Sequence, residues 1–228
     1  MVLERRKKII LWVVGVVVVL GGAVIAFGPY IYKDLTMKNA PSVPAVDLSA
    51  SSGDSLSDIS GTWRAADGSY AGYRVDEVLR GVEVTVVGRT EQVTGELKVD
   101  GGAVTTGTIS VDMASVATNN SSRDDSFRND TMHTSEYPNA TFELVSPIQV
   151  PTPLAAGYKE TFEVTGKLTI HGVTHEVKTK LETGFDGRHV QVAGSIPITF
   201  SDYGVKAPDL GFVTVEHNGH IELLIKFE

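Results

Sequence analysis

Thr161-Phe-Glu-Val-Thr-Gly-Lys-Leu-Thr-Ile170 alternates without a break. Phe162, Val164, Gly166, Leu168 and Ile170 share one face, and Glu163, Thr165, Lys167 and Thr169 share the other. A period of two sends successive side chains to opposite faces of a strand, so this segment predicts a strand with one apolar side and one wet side. The pattern recurs outward from it in Gly81–Val87, Ala103–Val111, Ala140–Val145, His175–Glu182 and His189–Ile196. Turn residues such as Asp100-Gly101-Gly102 and Asp186-Gly187 punctuate these runs at short spacing. Asn218-Gly219 is the strongest short hairpin signal, and it predicts that Gly211–Val215 and His220–Phe227 are joined as a hairpin with His217 and His220 across it. No internal repeat is present. The reading is one all-β antiparallel domain, closed as a barrel, over residues 61–228. Such a barrel either fills its interior with side chains or keeps a cavity for a small ligand, and the alternation alone favours the filled interior.

One stretch breaks the strand pattern. Asn119, Asn120 and Ser121 offer cap oxygens, and Arg123 to Asp130 then predicts a short helix with acids in its first turn. Asp124 and Arg128 stand four apart in the favoured acid-then-base order, which leaves Phe127 to point inward. Tyr137-Pro138 stops the helix, because the residue before proline is pushed to extended geometry.

The run from Arg123-Asp124 through Tyr137-Pro-Asn-Ala-Thr-Phe142 resembles the signature of the YceI-like family. Two further elements of that family stand in order around it. Val164-Thr-Gly-Lys-Leu-Thr-Ile-His-Gly-Val-Thr174 follows, while Gly61-Thr-Trp63 and Ser69-Tyr-Ala-Gly-Tyr-Arg-Val75 open the domain. The opening element departs from the pattern, with Tyr73 where phenylalanine is usual and no histidine after Val75. The resemblance implies a lipocalin-like, eight-stranded barrel that encloses a polyisoprenoid chain, such as an isoprenoid quinone or a polyprenyl carrier. It therefore implies a cavity where the alternation alone favours a solid core. Phe127, Met132, Phe142, Phe162, Val164, Leu168 and Ile170 become the candidate ligand-binding residues, with Phe142 and the β-strand set drawn from inward parity and the thioether of Met132 suited to a flexible chain. Arg123, Asp124 and Arg128 either orient a ligand head group or simply form a capped helix with an internal ion pair; the spacing needs no ligand to explain it. The resemblance also leaves room for a homodimer.

Ile9 to Phe27 is an uninterrupted apolar run of 19 residues. At about 1.5 Å per residue it spans roughly 30 Å, the thickness of a bilayer core. Arg5-Arg6-Lys7-Lys8 precedes it, which predicts a single-pass anchor with residues 1–8 in the cytoplasm and the remainder outside. Trp12 on one side and Tyr30 and Tyr32 on the other suit the two interfaces. A cleaved signal peptide is the rival, but the run exceeds the usual apolar core of one and carries no A-x-A pair near its end. Residues 28–60 read as a linker: Pro41, Pro44 and repeated serines leave little apolar surface with which to order the segment.

Charge and composition exclude several function classes. Residues 1–8 carry +3 of a net −8, so the remaining 220 residues carry −11 and repel phosphate backbones, which excludes nucleic acid as a partner. The absence of cysteine removes disulfides, thiolate metal sites and a cysteine nucleophile. His171 and His175 are separated by a glycine and a turn, so they do not form the helical zinc pair. No phosphate loop, dinucleotide fingerprint or nucleophile elbow is present, and Asp112 and His133 are isolated. The expectation is a binding protein without a metal, cofactor or catalytic residues.

Overall fold

A computed structural model describes residues 28–31, 33–34, 40–49, 55–209, 211 and 213–228. The basic segment 1–8 and the apolar run 9–27 lie outside the described residues. Among the described residues no helix is long and apolar enough to cross a membrane.

Among the described residues twelve strands make one antiparallel sheet. In chain order they are β1 (Gly61–Arg64), β2 (Tyr70–Leu79), β3 (Val82–Thr90), β4 (Val93–Asp100), β5 (Ala103–Asp112), β6 (Asn139–Leu144), β7 (Ile148–Gln149), β8 (Lys159–Ile170), β9 (Val173–Phe185), β10 (Val190–Thr199), β11 (Val213–Val215) and β12 (Asn218–Phe227). The ladder runs β1-β4-β5-β6-β8-β9-β10-β12, and a bridge from Ala65 to Phe227 brings its eighth strand back to its first. β2 continues from β12, with β3 and β11 paired to it. The sheet thus curls into a lipocalin-like barrel, and every alternating run read from the sequence is a strand within it.

The alternation of β8 is kept: Val164, Gly166, Leu168 and Ile170 are buried, while Glu163 and Lys167 are exposed. Gly166 is required by packing rather than by a turn. A Cβ there would stand 2.1 Å from the Phe142 ring, which lies across it from β6. At one end of the barrel Phe185, Ile59, Val99 and Leu154 form an apolar cluster, and Phe185 is fully buried. This is the closed end. The opposite, open end carries the β2–β3 and β8–β9 turns, the C-terminal ends of β5 and β10 and the N-terminal end of β12.

Two sequence expectations fail here. Asn218 and Gly219 do not form a hairpin turn; they begin β12, paired with Thr199 and Ile198 of β10. β11 starts at Val213 and pairs with β2 instead. Gly219 serves close approach, since its Cβ would meet Arg74 O at 2.9 Å and the Phe200 ring at 3.0 Å. His217 consequently does not face His220: its carbonyl accepts from Phe200 N–H at 3.0 Å.

Part of the linker also departs from its reading. Residues 40–49 lie as an extended strap across the outer face of the sheet. Val46 is buried and its N–H donates to Glu182 Oε2 at 2.8 Å. Gln191 imitates a strand partner, accepting from Asp47 N–H at 3.1 Å and donating to Asp47 O at 2.9 Å. A Cβ on Gly184 would come within 2.5 Å of Val46 Cγ1, so that glycine makes the notch in which Val46 sits. The strap has no core of its own; it is ordered by polar groups that the barrel holds out to it.

Asp186 stands behind this contact, accepting from Gln191 Nε2 at 2.9 Å. Burial by itself would raise its carboxyl, but the N–H groups of His189 and Arg188 and the Gln191 amide outweigh burial and hold it down to about 2. A carboxyl depressed from 3.8 contributes stability that is present above that value and lost as pH falls through 2. Thermal melts in steps from pH 5 to pH 2 are therefore expected to fall on the acid side, and Asp186→Asn should flatten that limb.

Candidate functional site

The excursion between β5 and β6 is built at the open end. Its two ends meet, with Met113 N–H donating to Pro138 O at 2.9 Å, and a bridge ties Ala117 to Arg89 of β3. Asn120 caps the helix α1 (Ser121–Ser126), its side-chain oxygen accepting from Arg123 N–H at 3.2 Å. The chain then widens into one π turn, Phe127–Thr131, which closes with Met132 N–H on Phe127 O at 2.9 Å.

That widening overturns the expected pairing of Asp124 with Arg128. Asp124 is buried and accepts from both the N–H and the hydroxyl of Thr118, at 2.9 and 2.7 Å. Arg128 pairs with Asp125 at 2.7 Å instead. The helical run ends at Thr131, one residue past the expected Asp130 and well before Tyr137-Pro138. His133 takes a left-handed φ of 44°, and Thr134 N–H returns to Arg128 O at 2.9 Å. Tyr137 packs against the β8–β9 turn, where a Cβ on Gly172 would meet its ring at 2.6 Å.

Beneath this excursion lies a cavity of about 550 Å³, within the range that small-molecule sites occupy. Its wall is mostly apolar. β2 supplies Ala71, Tyr73, Val75 and Leu79, and the excursion supplies Met113, Val116, Phe127 and Met132. β8 supplies Leu168 and Ile170, and the segment after β10 adds Phe200, Tyr203, Val205 and Ala207. Phe127, Met132, Leu168 and Ile170 are thus brought together on one wall. Phe142, Val164 and the half-buried Phe162 do not line it; they pack in the apolar cluster that Leu168 and Ile170 also join. Both alternatives left open by the sequence are present together: a packed apolar cluster, and a cavity that shares Met132, Leu168 and Ile170 with it.

Polar groups interrupt the wall, among them Asn120, Thr131 and His220, and two features bear on a ligand. Arg123 Nη2 and Glu77 Oε1, both cavity residues, pair at 3.3 Å, and Glu77 is 6% exposed. The Tyr73 ring stacks on Phe127 at 5.1 Å between centroids. Burial pushes the Tyr73 hydroxyl far above the usual phenol range; Arg123 opposes this, and Asp124 and Glu77 add to it. The phenol therefore stays protonated and can donate a hydrogen bond into a largely apolar space.

Arg128 and Asp124 do not line the cavity. Asp112 is engaged in accepting from Ala114 N–H at 2.9 Å, and His133 lies tilted against His171 at 5.7 Å. Among the described residues no group of three or more metal-ligating side chains converges. Tyr73 and Glu77 were legible in the parity of Tyr70–Leu79, where Ala71, Tyr73, Val75, Glu77 and Leu79 share a face. Residues 200–208 carry no periodicity from which their place on the wall follows.

A YceI-like domain model matches residues 64–227. No curated protein sequence matches the chain. Among solved structures, the chain is similar to a polyisoprenoid-binding domain from Saccharophagus degradans implicated in plant cell wall breakdown. That likeness has a TM-score of 0.60 at 19% identity, covering 73% of this chain and 97% of the other. It is also similar to BcnA of Burkholderia cenocepacia, with a TM-score of 0.51 at 22% identity, over 68% of this chain and 95% of that one. At such identities the structures share the fold. The domain match, which spans most of the sequence and every strand but the first three residues of β1, carries the further step: the chain belongs to the YceI-like domain family.

Proposed function

We propose that this chain is a membrane-tethered, extracytoplasmic binding protein, not an enzyme, that holds or carries a polyisoprenoid lipid in the open-end cavity. The observation that carries the reading is the cavity itself: a largely apolar space of about 550 Å³ with one polar end formed by Tyr73 and the Arg123–Glu77 pair. An isoprenoid chain placed there gains roughly 25 cal/mol for each Å² of apolar surface removed from water, so apolar walls suffice for affinity. A quinone ring or polyprenyl head would meet the Tyr73 hydroxyl. The relative named for polyisoprenoid binding supports the ligand class. The apolar run 9–27 behind a basic cluster supports the tether and the outward placement of the barrel.

Leu168→Trp tests the ligand. Leu168 is 3% exposed and stands on the cavity wall, so the indole enters space that a lipid would otherwise take. The purified variant should melt close to the unmodified protein yet release little isoprenoid on organic extraction and mass spectrometry. Were the cavity not a ligand site, the variant and its parent would yield the same extract.

A further inference from the structure

We infer that residues 40–49 hold the barrel with its open end toward the bilayer, so that the cavity mouth faces the lipid surface; this rests on the tethered reading above. The strap is fastened by charge. Glu222 points out of the barrel yet is 0% exposed, pairing with Arg74 Nε at 2.5 Å and Arg89 Nη2 at 3.1 Å. Each guanidinium also donates to the strap, Arg74 Nη2 to Pro41 O at 2.7 Å and Arg89 Nη2 to Ser42 O at 2.5 Å. A carboxylate this far from water is maintained only where its hydrogen bonds are met, and the two arginines that meet them are themselves held by strap carbonyls.

The strap has a direction. Pro41 lies beside Arg74, whose partner His220 is near the open-end start of β12. Val46 and Asp47 lie beside Gly184 and Gln191, and Gln191 pairs with Lys226, near the closed end. The chain therefore meets the barrel on its open-end side and leaves toward the closed end. Between Phe27 and the strap there are 12 residues, 28–39, whose reach is at most about 40 Å even fully extended. β8, with 12 residues, is itself about 40 Å long. Strands tilted by about 35–45° make the barrel roughly 30 Å tall. Helical backbone at residues 28–31 and 33–34 keeps the tether well short of its extended reach, so the end where the strap begins stays nearer the membrane.

Rim charge cannot supply the orientation. Exposed Arg80 and Lys206 share the open end with Asp76, Glu83, Asp209 and Glu216, so the rim is not net basic. The strap is what distinguishes the two ends.

The absence of cysteine makes the test direct. Lys206→Cys at the open rim and Arg188→Cys at the β9–β10 turn, each in the full chain, are labelled with a donor dye. The chain is placed in phosphatidylethanolamine–phosphatidylglycerol vesicles that carry an acceptor lipid. Energy transfer from position 206 should be at least twofold that from 188. Replacing residues 41–48 by Gly-Ser of equal length, with barrel melting checked, should make the two converge. Inserting about twenty Gly-Ser residues after Lys38 should do the same without touching strap or barrel. Equal or reversed transfer in the unmodified chain overturns the orientation, and a contrast that survives both variants overturns the strap as its cause. A chain that does not float with the vesicles overturns the tethered reading and this inference together.

Discussion

Glu222→Leu is expected to cost about 3–5 kcal/mol, because it leaves Arg74 and Arg89 as uncompensated, largely buried cations. For a domain of this size that corresponds to roughly 10 °C in Tm. The hydrogen bonds left to the two guanidiniums would be those to Pro41 and Ser42, one of three for Arg74 and one of two for Arg89. Arg89 also lies over the Tyr70 ring at 4.6 Å, and its Nε is buried without an acceptor, so it has little freedom to find another partner. Two readouts separate the charge effect from simple loss of packing. Proteolysis or hydrogen exchange at residues 40–49 should rise, since the strap loses its clamp. The triple change Arg74→Met, Arg89→Met, Glu222→Leu should recover most of the lost stability, because it removes the buried charges as a set. A single change that melts within a degree or two of the parent would show that the network contributes nothing.

Gly72→Ala should be as damaging for a steric reason. A Cβ at position 72 would stand 1.9 Å from Gly88 O and 2.9 Å from Arg89 Cα. These are backbone atoms of the paired strand and have no rotamer into which to retreat, so β2 and β3 must part. The cost should reach the upper end of overpacking, about 3 kcal/mol. The effect would also spread to the cavity. Tyr73 lies against Gly88, where a Cβ would meet its ring at 2.5 Å, and the same ring stacks on Phe127. Separating the strands moves Tyr73 off the wall and carries Arg89 away from Glu222. Denaturant unfolding and extracted lipid should therefore fall together. Loss of stability with unchanged lipid content would show that Tyr73 does not shape the site.

How far the sequence speaks differs from element to element. The strands were legible because alternation is a local property: Phe162 to Ile170 must bury one face whatever the rest of the chain does. The cap at Asn120 was legible for the same reason, since its partner is three residues away. The π turn was not. The contest between an Asp124–Arg128 pair and an Asp124–Thr118 contact is decided by where the excursion is pinned, at Met113–Pro138 and Arg89–Ala117. The Asn218-Gly219 signal misled because glycine serves close approach as readily as a turn, and only the position of Phe200 and Arg74 tells the two apart.

The site divides along the same line. By itself the sequence determined an apolar barrel face containing Leu168 and Ile170, with Phe127 and Met132 on a break in the pattern. Only the tertiary structure decided that Phe142 settles on Gly166, and that the cavity is lined by Leu168 and Ile170 but not by Phe142, Val164 or Phe162. Only the tertiary structure could order residues 40–49, whose prolines and serines supply no core. The groups that hold them, Glu222, Arg74, Arg89 and Gln191, are more than thirty residues away in the chain and converge only when the barrel closes. Periodicity reports which way a side chain points; what it meets there depends on contacts that no local pattern contains.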